Sequence, residues 1–313
     1  MSARLALADV RSPAVRVHTL LTGFQHDPLS VVALAVEVGL VVWYLGAVRR
    51  LARRGRRWSP WRTASFVGAS ALVMVAVQSG LAAYDDEVFA AHVVQHLILM
   101  SFAPILYALS APMTLALQAS ARPMQERLLR VLHHPVVEFV TRPVVVATVA
   151  YGTMIVYFLT PFYVLSLEHT WLHELSHLHF LVSGCLFWWV VVGIDPSRWR
   201  LSHGAKLGLL AVGIPVNALL GLVLTGSRVS VAPAFHTVGD THRGGSVLWI
   251  VGELVTLVAM AIVVSQWMRY EQREAVRADR RLDALEAEEA RHAEHACRAE
   301  DADVDVPAPV EAP

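Results

Sequence analysis

Hydrophobic positions along this chain fall into seven long runs, near residues 29–48, 63–83, 89–110, 143–161, 171–193, 205–225 and 247–268. Each run is long enough to cross about 30 Å of hydrocarbon as a helix. The pattern therefore predicts an all-α, polytopic membrane protein with a seven-helix transmembrane domain over residues 29–268. Basic and non-basic loops alternate between the runs. Arg49, Arg50, Arg53, Arg54, Arg56, Arg57 and Arg62 follow the first, Arg122, Arg127, Arg130 and Arg142 the third, Arg198, Arg200 and Lys206 the fifth, and Arg269 and Arg273 the seventh. The remaining loops are acidic or poor in Lys and Arg, as at Asp85-Asp86-Glu87 and Glu168. By the positive-inside rule the N-terminus is expected outside and the C-terminus in the cytoplasm, although Arg4, Arg11 and Arg16 pull mildly the other way.

The flanks differ from the runs. Residues 1–28 lack a long apolar core and a small-residue cleavage site, so they are expected to form an extracytoplasmic arm rather than a cleaved signal peptide. Residues 112–135 join the third and fourth runs and are expected to hold a short interfacial helix. Residues 269–300, rich in Ala, Glu and Arg, are expected to form a charged cytoplasmic helix without an apolar stripe. Residues 301–313 are acidic and Pro-rich and are expected to be disordered.

Composition agrees with a multi-span membrane protein: 55% of residues are hydrophobic and 17% charged, with a net charge of zero. The bilayer is the first expected partner. Nucleic acid is not, because the short Arg clusters flank the spans and build no basic surface. The two cysteines, Cys185 and Cys297, provide neither a disulfide framework nor a CxxC metal motif.

The polar residues inside the runs change the picture from membrane protein to candidate site. Ionisable groups within a span are costly and mark function by default. The third run carries His92 and His96, and the fifth carries His173 and His177, each pair spaced i, i+4 on one helix face. With the predicted topology both pairs lie in the first two turns from the outer face. Two facing helices can thus offer four imidazoles, a ligand set suited to copper, zinc or iron. Glu37, Gln78, Gln95 and Glu253 fall at a similar depth, where they would orient imidazoles or bind metal themselves. His236, Asp240 and His242 in the loop before the last run would gate or complete the site. Pro104, two turns beyond His96, frees the carbonyl of Met100 and is expected to kink the third span. His179 points off the His173/His177 face, and Trp188-Trp189 read as an interfacial aromatic belt.

The same residues suit three further roles. Membrane histidines serve as interhelical hydrogen-bond partners, so the cluster can be structural and the protein a scaffold for other subunits. Axial histidines on two facing helices also suit a b-type haem. His173-Glu174-Leu175-Ser176-His177 satisfies the zinc-protease pattern HExxH, with Glu253 or His96 as third ligand. Glu174 stands about 100° around the helix from His173, which counts against that enzyme.

Four blocks in order resemble a known family: DPLSVVALAVEVGLVVWYLGAVRRL, HVVQHLILMSFAPILYALSAP, HELSHLHFLVSGCLFWWVVVGIDP and DTHRGGSVLWIVGEL. Together they resemble the CtaG-type assembly factors of caa3-type cytochrome c oxidase, over roughly residues 27–268. The resemblance implies a seven-span, non-enzymatic factor that matures an oxidase of the respiratory chain, with oxidase subunits as partners and copper handled at the extracytoplasmic face. It places His92, Gln95, His96, His173, His177 and Asp240 on family motif positions. Thr241-His242-Arg243, between Asp240 and Gly244, depart from the family pattern.

Overall fold

A computed structural model describes residues 28–84 and 87–304. The expected N-terminal arm up to residue 27, Asp85-Asp86, and residues 305–313 of the expected disordered tail lie outside the described residues. All regular elements among the described residues are helical. In chain order they are α1 (Pro28–Arg53), α2 (Pro60–Gln78), α3 (Gly80–Tyr84), α4 (Phe89–Leu97), a π-helical turn (Ile98–Phe102), α5 (Ala103–Ser110), α6 (Pro112–Ala119), α7 (Arg122–Leu132), α8 (Pro135–Val140), α9 (Pro143–Leu159), α10 (Phe162–Glu168), α11 (Thr170–Val192), α12 (His203–Gly226) and α13 (Val238–Val304).

Among the described residues, six helices or continuous helical runs are long and apolar enough to cross a membrane, and α9 with α10, bent by 73°, makes a seventh if the pair is one span. The described residues thus hold six spans, or seven with α9 and α10 counted as one broken span. The break is local chemistry: Pro161 cannot donate the hydrogen bond that would continue α9, and it disfavours the helical region for Thr160, which is extended at ψ 169°. The 112–135 connection folds into two short helices, α6 and α7, and the start of α8.

Helix ends follow their residues. Five of the described helices begin on proline, where the fixed φ suits the first turn and no amide is lost. α1 ends on Arg50 and Arg53 and is followed by Gly55 at φ +72°. α11 ends at Gly193, φ +63°, and Lys206 Nζ donates to Val192 O. Two helices without a cap of their own borrow one. α6 starts after Ala111, a left-handed residue that offers no side-chain cap. Asp195 supplies it from beyond α11, accepting from Met113 N at 3.1 Å, Thr114 N at 2.7 Å and Thr114 Oγ1 at 2.6 Å. α4 starts after Val88, equally unable to cap, and takes its cap from α13, as described below.

The described chain divides into two units, one up to Met260 and one from Ala261 onward. In the first, α11 packs along the π-helical turn and α5, α2 along α5, and α9 and α10 along α11. Its core gathers Phe89, Leu99, Tyr157, Tyr163, Phe180 and Leu220, all nearly or fully buried. The described part of the second unit is helical and most of its described side chains are exposed, with pairs such as Arg277–Glu274 at 2.7 Å.

Around Pro104 the third span departs from regular α geometry. The π-helical turn lies just before the proline, and the Met100 carbonyl accepts a hydrogen bond from Trp188 Nε1 at 3.2 Å. Trp188 is therefore a buried interhelical partner, 5% exposed, and not part of an interfacial belt. Gly184 sits beside it. A β-carbon there would lie 2.5 Å from Met100 O, so α11 meets the backbone of the π-helical turn with nothing between.

Candidate functional site

The close approach at Gly184 fixes what lies two turns away on the same face of α11. His177 is seven residues earlier and His173 eleven, so all three face α4 and the π-helical turn. There they meet His92 and His96. The four rings form a closed quadrangle: His92–His96 centroids are 4.3 Å apart, His92–His173 5.3 Å, His173–His177 4.4 Å and His96–His177 5.6 Å. All four are buried, from 0% exposure at His92 to 6% at His173. Neither ring nitrogen of His96 has a hydrogen-bond partner, and neither does His92 Nδ1. Buried imidazole nitrogens without partners are costly.

The rings meet mostly by stacking and edge contact. His92 and His173 are parallel within 9°, and His92 and His96 within 29°. As the rings stand, no three His, Cys, Asp or Glu side chains among the described residues are placed to hold one ion. Orientation is what is missing, not proximity. Two imidazoles that share a metal at about 2.0–2.1 Å put their ring centroids about 5 Å apart, which is the spacing found here.

An aromatic shell, not foreseen from the sequence, encloses the cluster. Tyr157 Oη is 3.3 Å from His92 Nε2 and 3.0 Å from Ser166 Oγ, and Ser166 donates to Tyr163 O. Tyr163 packs on His92 at 4.9 Å, and Phe180 on His96 at 4.3 Å. The bend at Thr160-Pro161 gives α10 a direction of its own, and α10 brings Tyr163 and Ser166 to the cluster. The available signal was the Thr-Pro step within an apolar run flanked by Tyr157-Phe158 and Phe162-Tyr163. Read for hydropathy alone, it looks like uninterrupted span.

The remaining predicted residues scatter. Asp240, 2% exposed, accepts from Phe89 N at 2.5 Å and so caps α4, the helix that carries His92 and His96. Its Oδ2 is 3.8 Å from His236 Nδ1, and His236 Nε2 is 2.7 Å from Tyr163 Oη. Burial pushes the His236 imidazole below its ordinary pKa, while Asp240 opposes the shift. These two residues join the 227–237 loop and α13 to the cluster. His242 turns away and bonds Ser227 O at 2.7 Å. Gln95 donates to Ala76 O at 2.8 Å, and Gln78 donates to Ser30 O. Glu37 accepts from Tyr107 Oη at 2.8 Å, not from an imidazole. Glu253 Oε2 has no hydrogen-bond partner. Glu174 Oε2 lies 3.7 Å from His177 Nδ1, and His179 bonds Thr153 at 3.0 Å outside the quadrangle.

Asp240→Ala strands the buried Phe89 amide. It is expected to cost about 1–3 kcal/mol, read as a lower midpoint in denaturant unfolding of the purified protein. An unchanged midpoint would mean that the cap contributes nothing.

Residues 42–270 match the family described as cytochrome c oxidase caa3 assembly factor. The chain belongs to that family. The match takes in all four histidines and both capping aspartates. Among its relatives are uncharacterized protein Mb0105 of Mycobacterium bovis and uncharacterized protein MT0111 of Mycobacterium tuberculosis, each 31% identical over 267 residues. Uncharacterized protein ML1998 of Mycobacterium leprae is 28% identical over 272 residues. The alignments cover 80–82% of this chain but only 40–41% of those proteins, so the chain spans about two fifths of the relatives' length. No solved structure matches the chain.

Proposed function

We propose that this protein is an integral membrane assembly factor of the bacterial cell membrane that serves a cytochrome c oxidase. In this reading it carries copper as cargo on His92, His96, His173 and His177, facing the extracytoplasmic side, and hands it to an oxidase subunit. Family membership supports the assembly role. One observation carries the cargo reading: His96, 1% exposed within a quadrangle of imidazoles, has two ring nitrogens without hydrogen-bond partners. Imidazole ligands accept both Cu(I) and Cu(II) and bind less tightly than a thiolate cage, which suits a site that must release its ion. The aromatic shell excludes water and holds the rings near one another. Where Ser166 donates to Tyr163 O and Tyr157 donates to Ser166, the Tyr157 oxygen is left to accept from His92 Nε2–H. Nδ1 then carries the free lone pair. Loading requires the stacked rings to turn, so the resting site is not a rigid trap.

The geometry does not favour haem. A bis-histidine haem needs two nitrogens aimed end-on across a porphyrin plane, whereas His92 and His173 lie face to face at 5.3 Å.

Ring stacking itself favours a second reading, in which the histidines pack the bundle of a scaffold for oxidase subunits. One experiment separates the two. Purified wild-type protein equilibrated with copper is expected to hold about one ion per chain, and the His96→Ala/His177→Ala variant close to none. Equal copper in both would leave only the scaffold.

A further inference from the structure

The histidine cluster is closed at the end beyond His92, where Phe89, Tyr163 and His236 are each no more than 2% exposed. On one side a single member, His177, borders a groove. α1 packs on α2 and α6, and a groove separates it from α11. A cavity of about 550 Å³ lies between Val32, Val36 and Leu40 of α1 and Trp171, Leu178 and Leu181 of α11. A second cavity, of about 400 Å³, extends the groove toward Trp43, Met113 and Asp195, and the two meet at Glu37, Leu40 and Leu181.

Hydrocarbon dominates the lining of the first cavity, so its three ionisable side chains stand out: Glu174, His177 and Glu37. They occur in order of depth. Glu174 is half-buried in the second turn of α11, next to Trp171, which is 61% exposed. His177 is one turn further in, with its Nδ1 3.7 Å from the Glu174 carboxylate. Glu37 stands on the opposite wall, held by Tyr107. His177 thus borders the groove with one side of its ring and belongs to the quadrangle with the other.

We propose that the groove between α1 and α11 is the route by which a metal cation reaches the histidine cluster, with Glu174 as the carboxylate at its mouth and His177 as the receiving imidazole. The proposal rests on the reading that the cluster takes a cation. A bare cation does not enter a hydrocarbon-lined cleft unaided. A carboxylate at the mouth raises the local cation concentration and offsets part of the lost hydration. The transfer from Glu174 to His177 spans one helical turn, and from His177 the neighbouring rings of His173 and His96 are at 4.4 and 5.6 Å. Glu37, already hydrogen-bonded, ends the polar lining of this cavity and leaves its deeper floor apolar.

The test uses the full-length protein in lipid nanodiscs. Val36→Trp fills the groove from a position that is 55% exposed, so it disturbs no core; Val38→Trp, 47% exposed and absent from the groove lining, is the matched control. Access is read without metal. In a Cys185→Ala/Cys297→Ala background, His177→Cys provides a single thiol. The thiol is smaller than the imidazole it replaces and stands at the groove wall; Val36→Trp, which fills the groove in front of it, is expected to slow its reaction with N-ethylmaleimide by about tenfold or more, since loss of access makes a thiol inert, and Val38→Trp to leave it unchanged. Loading is read with all histidines in place, as the rate of Cu(I) uptake from a chromophoric chelator. Val36→Trp and Glu174→Gln are each expected to slow uptake by about tenfold at unchanged final capacity. Equal thiol labelling in Val36→Trp and Val38→Trp would overturn the route. A wild type that binds no copper but shows the labelling difference would instead sink the cargo function and leave the access path standing.

Discussion

Gly184→Ala is expected to destabilise the protein by about 1–3 kcal/mol, the cost of overpacking a close-packed contact. Gly184→Leu is expected to give no stable folded protein. The added β-carbon would lie 2.5 Å from Met100 O and 2.9 Å from both Met100 C and Cα, and these are backbone atoms that cannot swing aside. The helices must separate instead. Separation weakens the Trp188–Met100 hydrogen bond and opens the His96–His177 contact two turns away. Gly184→Ala should therefore lower copper occupancy as well as the unfolding midpoint. Denaturant titration followed by tryptophan fluorescence, with metal analysis on the same samples, measures both. A Gly184→Ala variant with wild-type stability and copper content would show that α11 tolerates displacement and that the contact does not set the cluster.

Asp195→Ala is the second large effect, expected at about 2–3 kcal/mol because it removes one acceptor from two helix-start amides and a hydroxyl together. Ala111 cannot substitute, since it has no side-chain acceptor and already adopts the left-handed conformation. α6 packs against α1, so loss of its first turn should loosen that contact before the histidine face of α11. Asp195→Asn keeps one side-chain oxygen and is expected to lose about half as much. Stability falls, while copper capacity per folded molecule should hold. Equal stability of Asp195→Ala and wild type would show that water replaces the carboxylate at α6.

The two aspartates show where the sequence stops being informative. Asp195 caps a helix 81 residues earlier and Asp240 one 151 residues earlier. A cap normally stands next to the helix it serves. These leave no local pattern and are found only once the chain is folded. The same holds for Tyr157, Tyr163 and Phe180, which hydropathy reads as ordinary span and which the structure brings around His92 and His96. Glu37 and Glu253 illustrate the converse. Similar depth suggested one shared role, but depth along an axis leaves rotation and partner open; Tyr107 holds Glu37, and Glu253 Oε2 has no bonded partner.

Local periodicity and composition were enough to encode the spans and the faces they present. Long apolar runs made helices of membrane-spanning length, because an unpaired backbone is too costly in hydrocarbon for any other open form. The i, i+4 spacing put His92 with His96 and His173 with His177 on single faces. Pro104 marked the place where the third span departs from α geometry. That the two pairs meet was decided in three dimensions alone. It required Gly184 to let α11 touch the π-helical turn, the Thr160-Pro161 break to redirect α10, and Asp240 to anchor the start of α4. Gly184 and Asp240 act between segments distant in sequence, through contacts of a few ångströms that no single segment specifies, and the local break at Thr160-Pro161 matters only through where it carries Tyr163 and Ser166.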